Sequence, residues 1–428
     1  LQKKLAPSEL SPPVRGGQFS LTIVRLAMDL VLEAGSSLRG VAASLRLIAE
    51  RLGWGLDMPS YGAVRSWLLR LGCYALLCPL PAGSWVWLID HTVQIGASKL
   101  LVIAGCPLAD VPRDRPLRQS DLHLVHLALM EHSTQATVAQ ELEQAAKRTG
   151  IPRQIGSDQG SDLEGGVKLL QQRHAGVAHV HDLAHQAANV LKSRWNHDPR
   201  WTEFVSKLSQ AAAKLRQTGD AHLLPPTVRA KARFMNVRPT LRFAGRVLRL
   251  LDATAPSART EEQYGWLRNY REALANWTSE QAAAEATVAH VRTRGVNRDT
   301  AAELDRVWAA MELTPGARAV ADRLRTAVAR EGQQAQPGET LVGSTEVLES
   351  IFGKLKRLEG SFSGDGFTSL SLVLGALLGE RTEQQVRQAL DATPRKTADS
   401  FAKRLLGPTI HTLRRLFVKS ADSVTDQR

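Results

Sequence analysis

Residues 85–182 constrain the fold most, because the period of the apolar positions changes several times within that one stretch. Trp85–Asp90 is a continuous apolar run closed by a carboxylate, and Ser98–Ala104 and Leu122–Met130 are two further runs of strand length. Ser133-Thr134 caps a helical segment that reaches Arg148. Arg153–Ser157 then reads as a short strand, Leu163–Gln172 as a helix and Val177–His181 as a fifth strand. Three strands in succession can pair as an antiparallel meander, whereas the later two reach the sheet only through helical crossovers. The order predicts an α/β core built on a mixed five-stranded sheet.

The flanks read differently. Residues 1–17 are polar and contain Pro and Gly, as in a flexible arm. Over residues 18–78, Leu21, Val24, Met28 and Val31 recur at helical spacing, and Gly35-Ser36-Ser37 stops that helix and caps a second, Leu38 to Leu52. After a turn at Gly53 to Asp57, Pro59-Ser60 opens a third helix that turns Val64, Trp67 and Leu68 inward. Three short helices fit a helix-turn-helix-like DNA-binding domain whose third helix, with Arg65 and Arg70, reads DNA; a plain helical bundle packed on the next domain fits too. From Ala184 to Arg330 only helical spacing occurs, as in Trp201, Phe204, Val205 and Leu208. Residues 331–339 read as a polar linker and 360–366 as a Gly/Ser-rich turn. The expected division is a catalytic core over 79–185 and 339–420, an all-helical insertion over 186–338, and a tail over 421–428.

Charge narrows the partner. The chain of 428 residues carries a formal net charge of +13, and its isoelectric point is about 10.0. Such basicity points to a polyanion, since each phosphate neutralised releases a counterion. Cys73, Cys78 and Cys106 have no paired-ligand spacing, which excludes a disulfide scaffold or cysteine zinc finger and suits a reducing compartment. No stretch reaches the roughly 18 uninterrupted apolar residues of a membrane span, and no signal peptide is read. The expectation is a cytoplasmic protein whose natural N-terminus precedes Leu1.

Three carboxylates stand in settings that phosphodiester chemistry needs. Asp90 ends the first apolar strand, and Asp158 opens a Gly-rich turn after the fourth. Asp162 lies at the start of the next helix, where a cap is the simpler role. Glu349 shares a helical stripe with Glu346, Gly353 and Lys356; Glu346 is its rival. Two magnesium ions roughly 3.5–4 Å apart would activate one oxygen and stabilise another, and magnesium takes hard oxygen ligands. His179, His181, Asp182 and His185 could alternatively mark a zinc site, though no further ligand cluster is visible.

At these residues the sequence resembles the DDE transposases. Asp90 and Asp158 stand where that family holds its first two carboxylates, and Glu349-Ser-Ile-Phe-Gly is similar to the Glu-Arg-x-Phe-Ser signature of hAT-type members. Lys356 follows Glu349 at the spacing of the insertion-sequence Glu–Lys pair, but the Tyr and Arg that usually precede that Glu are replaced by Thr345 and Val342. Asp182-Leu-Ala-His185 is similar to a Cys-or-Asp, two residues, His motif that supports the active site in several superfamilies. The resemblance implies a ribonuclease-H-like fold with an all-helical insertion before the catalytic Glu, of hAT/Mutator-type organisation. It implies Asp90, Asp158 and Glu349 as catalytic ligands of two Mg2+ (Mn2+ could substitute), and Lys354 and Lys356 on DNA phosphate. Trp195 and Trp266, which interrupt the core spacing, become candidates to stack an unpaired base. Partners would be double-stranded DNA, as terminal inverted repeats and target, and further copies of the chain, at least as a dimer, and the resemblance implies a bacterial, nucleoid-associated protein. Two alternatives stay open: a structure-specific nuclease or resolvase of the same fold, and a domesticated DNA-binding protein without catalysis.

Overall fold

The computed structural model describes residues 11–227, 234, 237–253, 257–360 and 367–425. The first part of the expected arm, the turn over 361–366 and the last three residues of the expected tail lie outside them. The chain opens with α1 (Leu21–Leu32), α2 (Leu38–Leu52) and α3 (Tyr61–Leu77), each N-capped by a serine, Ser20, Ser37 and Ser60. Next come β1 (Trp85–Ile95), β2 (Ser98–Pro107), β3 (His123–Met130), α4 (Gln135–Thr149), β4 (Gln154–Ser157), α5 (Ser161–Arg173) and β5 (Ala178–His181). These strands form one five-stranded sheet in the order β3-β2-β1-β4-β5. β1 and β2, and β2 and β3, pair antiparallel, whereas β1 and β4 pair parallel. This is the mixed sheet expected from the apolar pattern.

Two compact units divide the chain. The first comprises Leu1–Pro112, Leu117–Ala178 and Thr345–Arg428; the second comprises Arg113–Pro116 and His179–Ser344. In the first, Trp85, Trp87 and Ile89 alternate along β1 so that one face of the sheet meets Val138 and Leu142 of α4 and Leu163, Val167 and Leu170 of α5. The second holds α6 (Leu183–Trp195), α7 (Pro199–Leu215), α8 (Arg238–Leu251), α9 (Ala258–Tyr264), α10 (Arg271–Arg294), α11 (Thr300–Ala309) and α12 (Pro315–Gly332). Its core is aromatic: Trp201 lies 4.5 Å from Trp195 and 4.9 Å from Trp277, centroid to centroid. The chain then returns to the first unit as α13 (Glu346–Glu359), α14 (Val373–Leu377), α15 (Glu383–Ala392), α16 (Arg395–Leu406) and α17 (Ile410–Thr425).

Several expectations need correction. The N-terminal helices belong to the same compact unit as the sheet. α3 packs against α14, α15 and α16, so closely that a Cβ at Gly72 would lie 1.8 Å from the Leu372 carbonyl oxygen. Its buried Val64, Trp67, Leu68, Leu69, Leu71 and Cys73 leave exposure mainly at its first turn, which favours the packed-bundle reading over a free recognition helix. Arg148 fastens this bundle to the sheet by donating to the carbonyls of Ala75 (3.0 Å), Cys78 (2.8 Å) and Leu124 (3.0 Å). The end of the expected arm is docked: Arg15 N–H donates to Asp391 Oδ1 at 3.0 Å, and Arg387 donates to the carbonyls of Pro12 and Pro13. The expected linker begins inside a helix, since Glu331 is fully buried on α12. The expected tail overlaps α17, which continues to Thr425.

Candidate active site

β1 and β4 bring two of the three predicted carboxylates to neighbouring positions. Their last paired residues are Ile89 and Ser157; Asp90 and Asp158 are each the next residue along its strand direction. Asp158 lies in the turn beyond β4, where alternation no longer applies, and its charge acts on His91. Ile89 on β1 belongs to the core beneath α4 and α5, so Asp90, the next residue, takes the opposite face of the sheet. That face carries α13, which packs on β1. Gly156 lies on it as well, and a Cβ there would meet Leu88 Cδ2 at 2.9 Å and Thr345 Cγ2 at 3.5 Å. The missing side chain is what lets the start of α13 sit close to the strand.

Both aspartates are held by the backbone. Asp90 Oδ1 accepts the His91 N–H at 2.6 Å. Asp158 Oδ1 accepts the Gly160 N–H at 2.9 Å, an Asx-turn; its other oxygen accepts no hydrogen bond among the described residues. The turn role and a ligand role are therefore compatible, each using one oxygen.

Glu349 lies in the first turn of α13 and is exposed, whereas Glu346 is half-buried. Leu348, Ile351, Phe352 and Leu355 form the buried face, as the spacing predicts. The two lysines diverge. Lys356 is exposed, but Lys354 Nζ is paired with Glu33 Oε2 of α1 at 3.1 Å, so it ties α13 to α1 and is not poised for phosphate. Burial would raise the Glu33 carboxyl, yet the hydrogen bond from Lys354 and the charge of Arg381 outweigh it and hold that carboxyl below its usual range.

A polar network on the α4 and α5 side of the sheet escaped the sequence reading. Lys99 Nζ on β2 reaches Asp162 Oδ2 at 2.9 Å, and Ser133 Oγ lies 3.1 Å from His91 Nε2. Asp162 Oδ1 also accepts the Leu163 N–H at 3.1 Å, but the N-cap of α5 is Gly160 and Asp162 lies inside the first turn, so the cap expected of it does not form. Burial would raise the Asp162 carboxyl, but hydrogen bonds from Lys99 and Ser133 and the charges of His91 and Lys99 prevail and bring it to about 2. Burial, with the Lys99 charge, pulls His91 below its ordinary value against the opposing pull of Asp162. No sequence spacing signals the pair, because Lys99 and Asp162 meet only through the sheet.

The remaining predicted residues have other duties. Arg65 donates to Ser369 Oγ at 2.5 Å, and Arg70 donates to the Thr393 carbonyl at 2.7 Å and to the Leu390 carbonyl. Both are half-buried, and burial lowers both guanidinium pKa values, so they join α3 to the C-terminal helices. In the second unit Trp195 is 1% exposed and donates its indole N–H to Glu280; no ring face is open for a base. Trp266 is half-buried, with Lys207 Nζ 5.5 Å from its ring centroid. Asp182 caps α6, its Oδ1 accepting from Ala184 N–H (2.6 Å) and His185 N–H (3.0 Å). His181 Nδ1 lies 3.2 Å from Glu331 Oε1, a carboxylate in place of a zinc ion.

Carboxylate oxygens on two adjacent strands match the hard donors that a divalent ion takes, so the donor chemistry of Asp90 and Asp158 fits magnesium. Among the described residues, however, no group of three or more His, Cys, Asp or Glu side chains is arranged to hold a metal ion. Nor is any helix among them long and apolar enough to cross a membrane.

No family model and no curated protein sequence matches the chain. Among solved structures it is similar to the Drosophila P element transposase strand transfer complex, at 12% identity and a TM-score of 0.41, over 86% of this chain and 94% of that one. A likeness of that degree transfers no activity from one protein to the other.

Proposed function

We propose that this protein is a DDE-type DNA transposase with a ribonuclease-H-like core, which cleaves DNA at transposon ends and joins the freed ends to target DNA. One observation carries the reading. Asp90 and Asp158 each stand one step beyond the Ile89–Ser157 pair of two adjacent parallel strands, and the helix that begins with Glu346 and carries Glu349 packs on the first of those strands.

A carboxylate on one strand and one in the turn directly after its neighbour, with the two strands ~4.8 Å apart between backbones, suit ligands converging from two sides. Magnesium, when bound there, would activate the attacking oxygen and stabilise the leaving one. The Asx-turn keeps Asp158 facing one way while its second oxygen stays available. Glu349 stands on the exposed first turn of α13, and Lys356, seven residues on, shares its side of the helix for a DNA phosphate. In the first step water forms one P–O bond at the element end and a 3′ hydroxyl leaves. In the second that hydroxyl forms a P–O bond with target DNA and a target 3′ hydroxyl leaves. Bonds are exchanged one for one, so no external energy source is needed. Two ends must be joined together, which calls for at least two copies of the chain.

A second reading is a DNA-binding protein of the same architecture without catalysis. It is favoured by the lack, among the described residues, of a three-carboxylate group. A strand-transfer assay with purified protein, magnesium and a labelled element end separates the two. Joined products that disappear in Asp158→Ala, with DNA binding retained, are expected. Full joining by Asp158→Ala would refute the site, binding without cleavage would favour the second reading, and cleavage without joining a nuclease.

A further inference from the structure

Residues 221–251 contain seven cationic side chains (Arg229, Lys231, Arg233, Arg238, Arg242, Arg246 and Arg249) and no Asp or Glu. Four of the seven lie on α8 at spacings of 4, 4 and 3. At 100° per residue they fall within an arc of roughly 80°, and all four are exposed. The opposite side of the same helix is apolar and buried, through Leu241, Ala244, Val247, Leu248 and Leu251.

Elsewhere in this unit arginines are commonly neutralised. Arg271 meets Asp252 at 2.7 Å, Arg325 meets Asp305 at 2.9 Å, and Arg268 is paired with Glu261. On α8 only Arg238 has such a partner among the described residues, Glu285 at 3.2 Å. Arg242, Arg246 and Arg249 make no ion pair among the described residues. Three like charges on one helix face repel one another and weaken the helix by a few tenths of a kcal/mol per pair. A polyanion would relieve that repulsion.

We infer that the arginine face of α8 is a binding surface for the phosphate backbone of duplex DNA. Arg242 to Arg249 spans seven residues, roughly 10 Å of helix rise, and a DNA strand presents a phosphate about every 3.4 Å along its axis. The three unpaired guanidiniums therefore match about three phosphates, and guanidinium forks suit phosphate oxygens. A membrane surface fits less well, because the apolar side of α8 is already buried in the unit's core and cannot enter a bilayer. Contacts of this kind position DNA and carry no sequence preference. The inference shares its partner class with the proposed transposase function, but it is read from binding and not from chemistry.

The test uses the full-length protein without divalent metal and a fluorescein-labelled duplex of about 30 base pairs and arbitrary sequence, with anisotropy followed from low to high salt. Arg242→Gln/Arg246→Gln/Arg249→Gln should make the log affinity against log salt plot shallower by about 2–3, near 0.9 per lost phosphate contact. Arg259→Gln/Arg271→Gln/Arg325→Gln removes the same charge elsewhere in the unit and should leave the slope within about 1 of the wild type. Circular dichroism on both variants checks that the helices remain. An unchanged slope in the α8 variant overturns the inference, as does an equal loss in the control variant. So does α8-dependent binding to phosphatidylserine vesicles without binding to duplex. If the α8 slope is unchanged while the wild type still joins ends, only this inference fails. If the α8 variant loses slope but the wild type neither cuts nor joins, only the catalytic reading fails.

Discussion

The ion pair between Lys99 and Asp162 permits a test of how the Asp158 turn is held. Asp162 comes four residues after Asp158 and opens α5, and Lys99 reaches it from β2 at 2.9 Å, the Asp162 side chain being 14% exposed and that of Lys99 29%. The Asp162 carboxyl falls from an ordinary 3.8 to about 2. At ~1.36 kcal/mol per unit, that depression corresponds to roughly 2 kcal/mol of folded-state stabilisation. Solvent reaching the lysine side reduces the expectation to about 1–2 kcal/mol. A depressed folded pKa places the contribution above the unfolded value, so it is complete at neutral pH and fades as pH falls from 3.8 towards about 2. Hydrogen exchange at the amides of β4 and the first turn of α5 reads it locally. Asp162→Asn should lower the opening free energy there by about 1–2 kcal/mol at pH 7, and by clearly less at about pH 3. A double-mutant cycle with Lys99→Met should return a coupling of about 1 kcal/mol. If the two substitutions add within about 0.3 kcal/mol, or the deficit is the same at both pH values, the pair does not hold the turn.

Two further substitutions separate structural residues from DNA contacts. Trp195→Ala removes a buried ring and one donor to Glu280, which keeps its pairing with Arg194; it should cost about 3–5 kcal/mol, read as an early loss of helicity on heating, while Trp266→Ala should cost less. Arg70→Ala removes a charged donor from two helix-end carbonyls and should cost about 1.5–3 kcal/mol in urea unfolding, with the salt slope of DNA binding unchanged.

The α/β core was legible because β1, β2 and β3 carry apolar runs, and burial of one face of β1 against α4 and α5 demands that pattern; β4 and β5, Gln154–Ser157 and Ala178–His181, are too short and polar to show it by themselves. Asp158 was legible because it directly follows a strand and opens a Gly-rich turn, whereas Asp90 does not end β1 as expected: the strand continues to Ile95 and Asp90 pairs with Val102 of β2, since an antiparallel strand tolerates polar residues on one face. The fate of α3 was not. Its outward positions Arg65 and Arg70 are those that a recognition helix would use, and only the long-range partners Ser369, Leu390 and Thr393 show that C-terminal helices cover it. Helical periodicity reports that a face is buried, not what buries it.

Charge was the harder signal to read in both directions. Glu331 stands in a polar string, Glu-Gly-Gln-Gln-Ala-Gln, that resembles a linker. It is nevertheless fully buried, because His181 Nδ1 and Arg330 approach it at 3.2 and 2.8 Å. Burial would raise that carboxyl, and the hydrogen bonds and charge supplied by His181 and Arg330 reverse the effect. A buried carboxylate is tolerated only with such partners. One of them lies 150 residues away and the other next door, so composition alone cannot find them. The converse holds for α8. A segment without acidic residues has no local means of pairing its arginines, and that absence was visible in the chain from the start. Where cations are spaced to one face and the acid at the helix end, Asp252, is already taken by Arg271, a partner outside the chain is the simplest source of the missing charge.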